Sequence, residues 1–224
     1  KTEEDSYYLL GLFNTKVTQS FLSILNPSIS LQAGDFEKLP VLENGNRKTT
    51  ELISKDCVKI SKTDWDSYET SWDFKSHPLV KNDLYNTAIT EDKRTISDSY
   101  HSWVSECEQR FLGLKANEEE LNRIFIDIYG LQDELTHDVL ERDITVHRIF
   151  DSKEDVPESM KGSAYVRTKR DEIVSLLSYV IGCMLGRYSL DTEGLAYAGG
   201  EWDESLYTTF KPDADNIIPL TDEE

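Results

Sequence analysis

The chain has 224 residues, with 43 Asp and Glu against 24 Lys and Arg and a formal net charge of -19. That is enough sequence to bury one large or two small cores, and too much negative charge to grip nucleic acid tightly by its phosphates alone. No apolar run approaches the roughly 20 residues of a membrane span, and no basic-then-apolar leader opens the chain, which predicts a cytoplasmic protein without a membrane partner.

Cys57, Cys107 and Cys183 are odd in number, far apart and without a CxxC pair. They argue against a disulfide framework or a four-cysteine zinc site and read as buried free thiols. The start at Lys1 and the stop just after Ile217-Ile218-Pro219-Leu220 predict a piece of a longer protein.

In chain order, Leu10, Phe13, Val17, Phe21 and Ile24 recur at three- and four-residue steps and predict one helix over 6–25, ended by Asn26-Pro27. Alternation from Ile29 to Asp35 and the piece Leu39-Pro40-Val41 predict a small extended or β element near residues 29–41, followed by a polar linker at 43–48. Trp65, Tyr68 and Trp72 are spaced to share a helical face between Asp64 and Phe74.

The clearest stripe is Tyr100, Trp103, Val104, Cys107, Phe111 and Leu114, a core-facing helix over 96–114. Asn117 with Glu120 resembles a capping box opening a second helix, which Gly130 can stop in a left-handed cap, so the two are expected to pack as a hairpin. Ile144 and Val146 alternate like a strand or extended connection over 143–150, and Asp151–Ser163 reads as loop. A last helix over about 168–186 is expected to bury Ile173, Leu176, Leu177, Val180, Ile181 and Met184. The fold class is mainly α (α+β): a helical spacer with helix hairpins plus the small extended element.

Motifs that carry chemistry are sparse. Methyl transfer to adenine uses a glycine-rich cofactor turn after a strand and an Asn-Pro-Pro-aromatic loop that holds a flipped base. The nearest string, Asn26-Pro27-Ser28-Ile29, lacks the second proline and the ring. The glycine cluster Gly194–Gly200 follows a helix and precedes Glu201, which would repel a phosphate. His77, His101, His137 and His147 lack the helical pairing of a zinc site, and Asp213-Ala214-Asp215 beside Lys211 reads as solvated tail more than as a nuclease centre. No catalytic, cofactor-binding or metal-ligating residue is assigned.

Several blocks nevertheless carry a resemblance. The stretch Tyr8–Lys16, then Leu25–Asp35 and Leu39-Pro40, is similar to the segment ending the DNA-recognition region of many N6-adenine methyltransferases and type II restriction-modification enzymes. Asp64–Phe74, Asn117–Leu131 and Ile181–Asp191 together resemble PglX, the adenine-specific DNA methyltransferase family of BREX phage-defence systems. The resemblance implies S-adenosylmethionine-dependent marking of host DNA by a parent enzyme whose chemistry lies elsewhere, with no cofactor in this segment.

It also implies three regions. Residues 1–42 are the end of a target-recognition-like region, 48–190 a helical spacer and 191–224 an acidic irregular tail. Asn14, Lys16, Gln19 and Gln32 are the DNA-contact candidates, since Gln and Asn read adenine edges and Lys meets guanine or phosphate. Duplex DNA, reached through the parent, is the expected partner, and other defence-system proteins are further candidates. Two other functions fit the composition: an acidic helical protein-interaction module, and an acidic DNA mimic, which the apolar stripes count against.

Overall fold

The computed structural model describes residues 3–26, 28, 30–42, 47–80 and 95–213. It is mainly α-helical with a small β element. The helices are α1 (Glu3–Phe13), α2 (Lys16–Leu25), α3 (Ala33–Phe36), α4 (Arg47–Trp65), α5 (Ile96–Tyr129) and α6 (Lys169–Met184), and the strands are β1 (Arg148–Phe150) and β2 (Val166–Thr168). Two compact units interleave along the sequence. The first takes Lys1–Lys62, Gln109–Val146 and Glu158–Tyr165, and the second takes Thr63–Glu108, His147–Pro157 and Val166–Glu224.

In the first unit, Tyr8, Leu12, Val17, Leu121, Phe125 and Ile126 form the core. Helices α1 and α4 approach closely because small residues face each other. A Cβ on Gly11 would lie 2.4 Å from Ser54 Oγ and 3.3 Å from Thr50 Cγ2, and both Thr50 and Ser54 are buried. The buried Asn122 amide joins distant segments: its Oδ1 accepts from the Lys16 N–H at 2.9 Å, and its Nδ2 donates to the His137 carbonyl at 3.2 Å.

In the second unit, β1 and β2 pair in parallel, with Arg148 opposite Val166 and Phe150 opposite Thr168. Thr168 then caps α6: its backbone N–H and hydroxyl both donate to Asp171 Oδ2, at 2.7 and 2.8 Å. Tyr179 stacks on Tyr188 at 5.1 Å. A Cβ on Gly182 would sit 2.6 Å from the Tyr188 ring, so only glycine lets that ring lie against the helix. Between Tyr188 and Asp213 the chain is irregular but tied down. Asp191 accepts from the Thr208 and Thr209 N–H groups, and the Tyr207 hydroxyl donates to the Gly186 carbonyl.

Several expectations hold. Of the predicted stripe, Tyr100, Trp103, Cys107, Phe111 and Leu114 are buried and Val104 is half-buried. Gly130 takes φ +66, with Leu131 N–H returning to the Ile126 carbonyl and Gly130 N–H to Asp127, which makes a Schellman cap. Helix α2 stops at Leu25, as the Asn26-Pro27 pair predicts.

Other expectations are corrected. The single helix over 6–25 breaks between α1 and α2, because Thr15 is extended (φ -89, ψ 160) and the Thr15 and Thr18 hydroxyls both donate to the Leu12 carbonyl. Leu10 and Ile24 consequently face solvent. The element near 29–41 is not a strand, since Asp35 accepts from the Gln32 N–H and winds the short helix α3 instead. The β pairing lies at 148–150 and 166–168. Of the expected linker at 43–48, residues 43–46 lie outside the described residues, and Arg47 and Lys48 already belong to α4.

Over 64–74 there is no shared helical face. Helix α4 ends at Trp65, turns follow, and Tyr68 is buried while Trp72 is 97% exposed. The hairpin over 96–130 is one helix of 34 residues. Lys115-Ala116-Asn117-Glu118 contains no breaker, Lys115 pairs with Glu119 one turn on, and the Asn117 amide donates to Asp56 rather than capping. The face of α6 is also turned. Glu172, Tyr179, Gly182 and Cys183 are inside, whereas Ile173, Leu177, Val180 and Ile181 are outside.

Candidate functional site

Each of the four sequence-nominated residues belongs to the first unit, and the structure uses most of them locally. Asn14 ends α1, and its Nδ2 donates to the Leu10 carbonyl at 2.8 Å. Lys16 opens α2 with its N–H on Asn122, while its Nζ reaches Thr136 Oγ1 at 3.5 Å. Gln32 opens α3 through the N–H it gives to Asp35 at 3.1 Å. Gln19 lies one turn into α2 and is exposed. The ring of Phe36 in α3 rests 5.2 Å from that of Phe13 in α1, which ties the element carrying Gln32 to the one that ends at Asn14.

A second constellation, in the second unit, is charged and buried. Asp64, at the end of α4, accepts from the His147 ring Nδ1 at 2.7 Å and from the His147 backbone N–H at 3.2 Å. The same imidazole meets the Tyr68 ring edge-on at 4.5 Å. Glu172, only 1% exposed on the first turn of α6, accepts from Trp103 Nε1 at 2.9 Å and from Arg167 Nε at 2.5 Å. The guanidinium of Arg167 lies 4.5 Å over the Tyr68 ring.

Burial, with the nearby Cys107 and Glu172, pushes the Tyr68 hydroxyl far above its ordinary value, so it stays protonated. His77 is buried beside this cluster's helix. Its Nδ1 accepts from the Leu79 N–H, so Nε2 carries the proton and donates to Ser175 Oγ at 3.2 Å. Burial and then the Arg167 charge lower His77 to about 4.

Chemically this cluster anchors. Its two carboxylates are committed to N–H donors just before β1, on β2 and on α5, and a buried Arg–Glu pair fixes geometry more than it contributes net stability. Sequence reading missed it because its partners are 83 (Asp64 and His147) and 69 (Trp103 and Glu172) residues apart. The nearest clue was Trp103 itself, whose indole N–H requires a buried acceptor. Among the described residues no group of three or more His, Cys, Asp or Glu is placed to hold a metal ion. None of their helices is long and apolar enough to cross a membrane.

No protein-family profile matches the chain. Over 97% of its length it is 39% identical to the adenine-specific methyltransferase PglX of Lacticaseibacillus casei (strain Zhang). The chain is similar to one segment of a much longer methyltransferase. It spans only 16% of that relative, and a second relative, the adenine-specific methyltransferase BrxX of Escherichia coli O9:H4 (strain HS), is 31% identical over 97% of the chain and 17% of its own length. The similarity covers both compact units, so the buried cluster and the nominated residues all lie within the aligned segment.

Proposed function

We propose that the chain is the non-catalytic recognition and spacer segment of a site-specific N6-adenine DNA methyltransferase. In this reading the intact enzyme takes S-adenosylmethionine and marks host DNA in a phage-defence or restriction-modification system. The observation that carries it is the match to adenine-specific methyltransferases along 97% of a chain that contains no Asn-Pro-Pro-aromatic string and, among its described residues, no glycine turn after a strand. Residues 1–42 form the end of the recognition region, 48–190 the spacer and 191–224 an acidic tail. Duplex DNA is met through the parent enzyme, because a net charge of -19 opposes binding by this segment alone.

Gln19 is the leading DNA-contact residue. Its side chain is exposed on α2, whereas Asn14 and Gln32 take part in helix ends and Lys16 reaches toward Thr136. The test is methylation by the full-length enzyme carrying Gln19→Ala or Lys16→Ala. A base contact is worth about 1–3 kcal/mol, so kcat/KM for duplex DNA is expected to fall roughly 5- to 150-fold with S-adenosylmethionine affinity unchanged. Equal kcat/KM in both variants removes these residues from the recognition surface, and methyl transfer by the 224-residue chain alone overturns the non-catalytic assignment.

A further inference from the structure

Helix α6 is apolar on two sides. Between Glu172 and Arg187 no residue is charged, in a chain whose residues are 30% charged. One side packs inside the second unit through Tyr179 and Cys183. The other side presents Ile173, Val174, Leu177, Val180, Ile181 and Leu185, each between 40% and 58% exposed. At 3.6 residues per turn these six cover an arc of about 140°, on the order of 500 Å² of side chain, the size of the largest apolar patch on an ordinary monomer. Where α6 ends, the patch runs into an open groove of about 310 Å³ lined by Leu185, Arg187, Leu195, Tyr197 and Ala198.

A helix that is hydrophobic all round belongs in an interior. We propose that this face of α6, with the groove at its end, seats an uncharged apolar surface supplied by the remaining part of the same methyltransferase polypeptide. The inference rests on the match to a segment of a longer protein and not on any role in DNA recognition. More than four-fifths of each relative's length lies outside the aligned segment, so an occupant in cis is available.

The chemistry of the face selects against the other occupants. Nucleic acid needs several cations, whereas the six exposed residues supply none and the groove only Arg187. An interfacial membrane helix carries a basic polar face, whereas the opposite side of α6 is packed against Phe74 and Tyr188. A second copy would bring another -19 of charge to an interface of about 1,000 Å² in total, below the range of stable dimers.

The experiment uses the full-length polypeptide with a benzophenone-bearing side chain in place of Leu177, irradiated and mapped by mass spectrometry. Crosslinks within one polypeptide to peptides outside this 224-residue segment are expected. Crosslinks between two copies, crosslinks confined to the segment, or none at all would each overturn the proposal. A second arm separates docking from folding. Leu177→Lys with Ile181→Lys should leave the melting curve of the 224-residue chain unchanged, while in the full-length protein it should accelerate limited proteolysis about tenfold, as weakened docking raises the open population. Equal proteolysis of the variant and the unaltered full-length protein contradicts the proposal as well.

Discussion

Helices α5 and α6 both carry apolar stripes, and the spacing of their apolar residues reads one correctly and the other backwards. In α5 the residues from Tyr100 to Leu114 make a single stripe with Ser105, Glu106 and Gln109 beside it, so only one face can be buried, and it is. In α6 the larger apolar set, Ile173, Leu177, Val180 and Ile181, is outside. The side turned in begins with a glutamate. A buried carboxylate is tolerated only with strong partners, and Glu172 has them in Trp103 and Arg167. When both faces of a helix are apolar, specific polar and aromatic contacts decide the orientation, and periodicity does not.

The largest expected effect tests the hinge of this comparison. Trp103→Ala removes core volume from α5 and also strips Glu172 of a donor, so it should destabilise the chain by about 3–5 kcal/mol, as large aromatic truncations do. Equilibrium unfolding in urea measures it. A loss below about 1 kcal/mol would mean that Trp103 neither fills the core nor holds α6 by Glu172.

Two leucines sharpen the same contrast. Leu114 is buried on α5 and Leu177 is 55% exposed on α6. In the 224-residue chain Leu114→Ala should cost about 2–5 kcal/mol and Leu177→Ala less than about 0.5 kcal/mol. Similar losses at the two positions would put Leu177 in a core and restore the face that its spacing predicts.

What was legible in the sequence follows the same physics. The α5 stripe and the Gly130 stop were readable because each depends on neighbours within one or two turns. Helix α4 was not, since its most buried positions are Thr50 and Ser54, small polar residues that pack only because Gly11 faces them from α1. The alternation around the short helix α3 mimics an extended element, and nothing in that spacing announces the Asp35 carboxylate that accepts from the Gln32 N–H. Of the candidate sites, the exposure of Gln19 was foreseeable. The Asp64–His147 and Glu172–Arg167–Trp103 cluster was not, because in the first pair and for Trp103 the partners come from distant parts of the chain.

A smaller effect, about 2 kcal/mol, is expected at His77, on the side of α6 that is turned in. Its pKa of about 4 lies below the unfolded value near 6.5, so the neutral imidazole contributes stability that is present above pH 6.5 and is lost as pH falls toward 4. Unfolding at pH 7.5 and pH 4.5 should show a drop that His77→Asn abolishes. An equal drop in the variant would assign the acid sensitivity to carboxylates instead.

The last effect has the opposite sign and belongs to α5. Glu118 sits half-buried on that helix, and burial, reinforced by the nearby charges of Asp143 and Glu119, raises its carboxyl to about 7. A carboxyl held above its unfolded value favours folding fully below about pH 4.5, and that contribution is lost as pH rises through 7. At pH 8 the ionised carboxylate is therefore a burden on the first unit, discounted for its partial exposure to about 1 kcal/mol. Glu118→Gln should raise the unfolding free energy by that amount at pH 8, change it little at pH 4.5, and flatten the profile between. Arg123 and Lys115 are already committed, to Glu120 and Glu119, so no neighbouring cation on α5 is left to offset Glu118. A Glu118→Gln chain no more stable than the original at pH 8 would show that this carboxylate is solvated after all, and that α5 tolerates its acidic flank without strain.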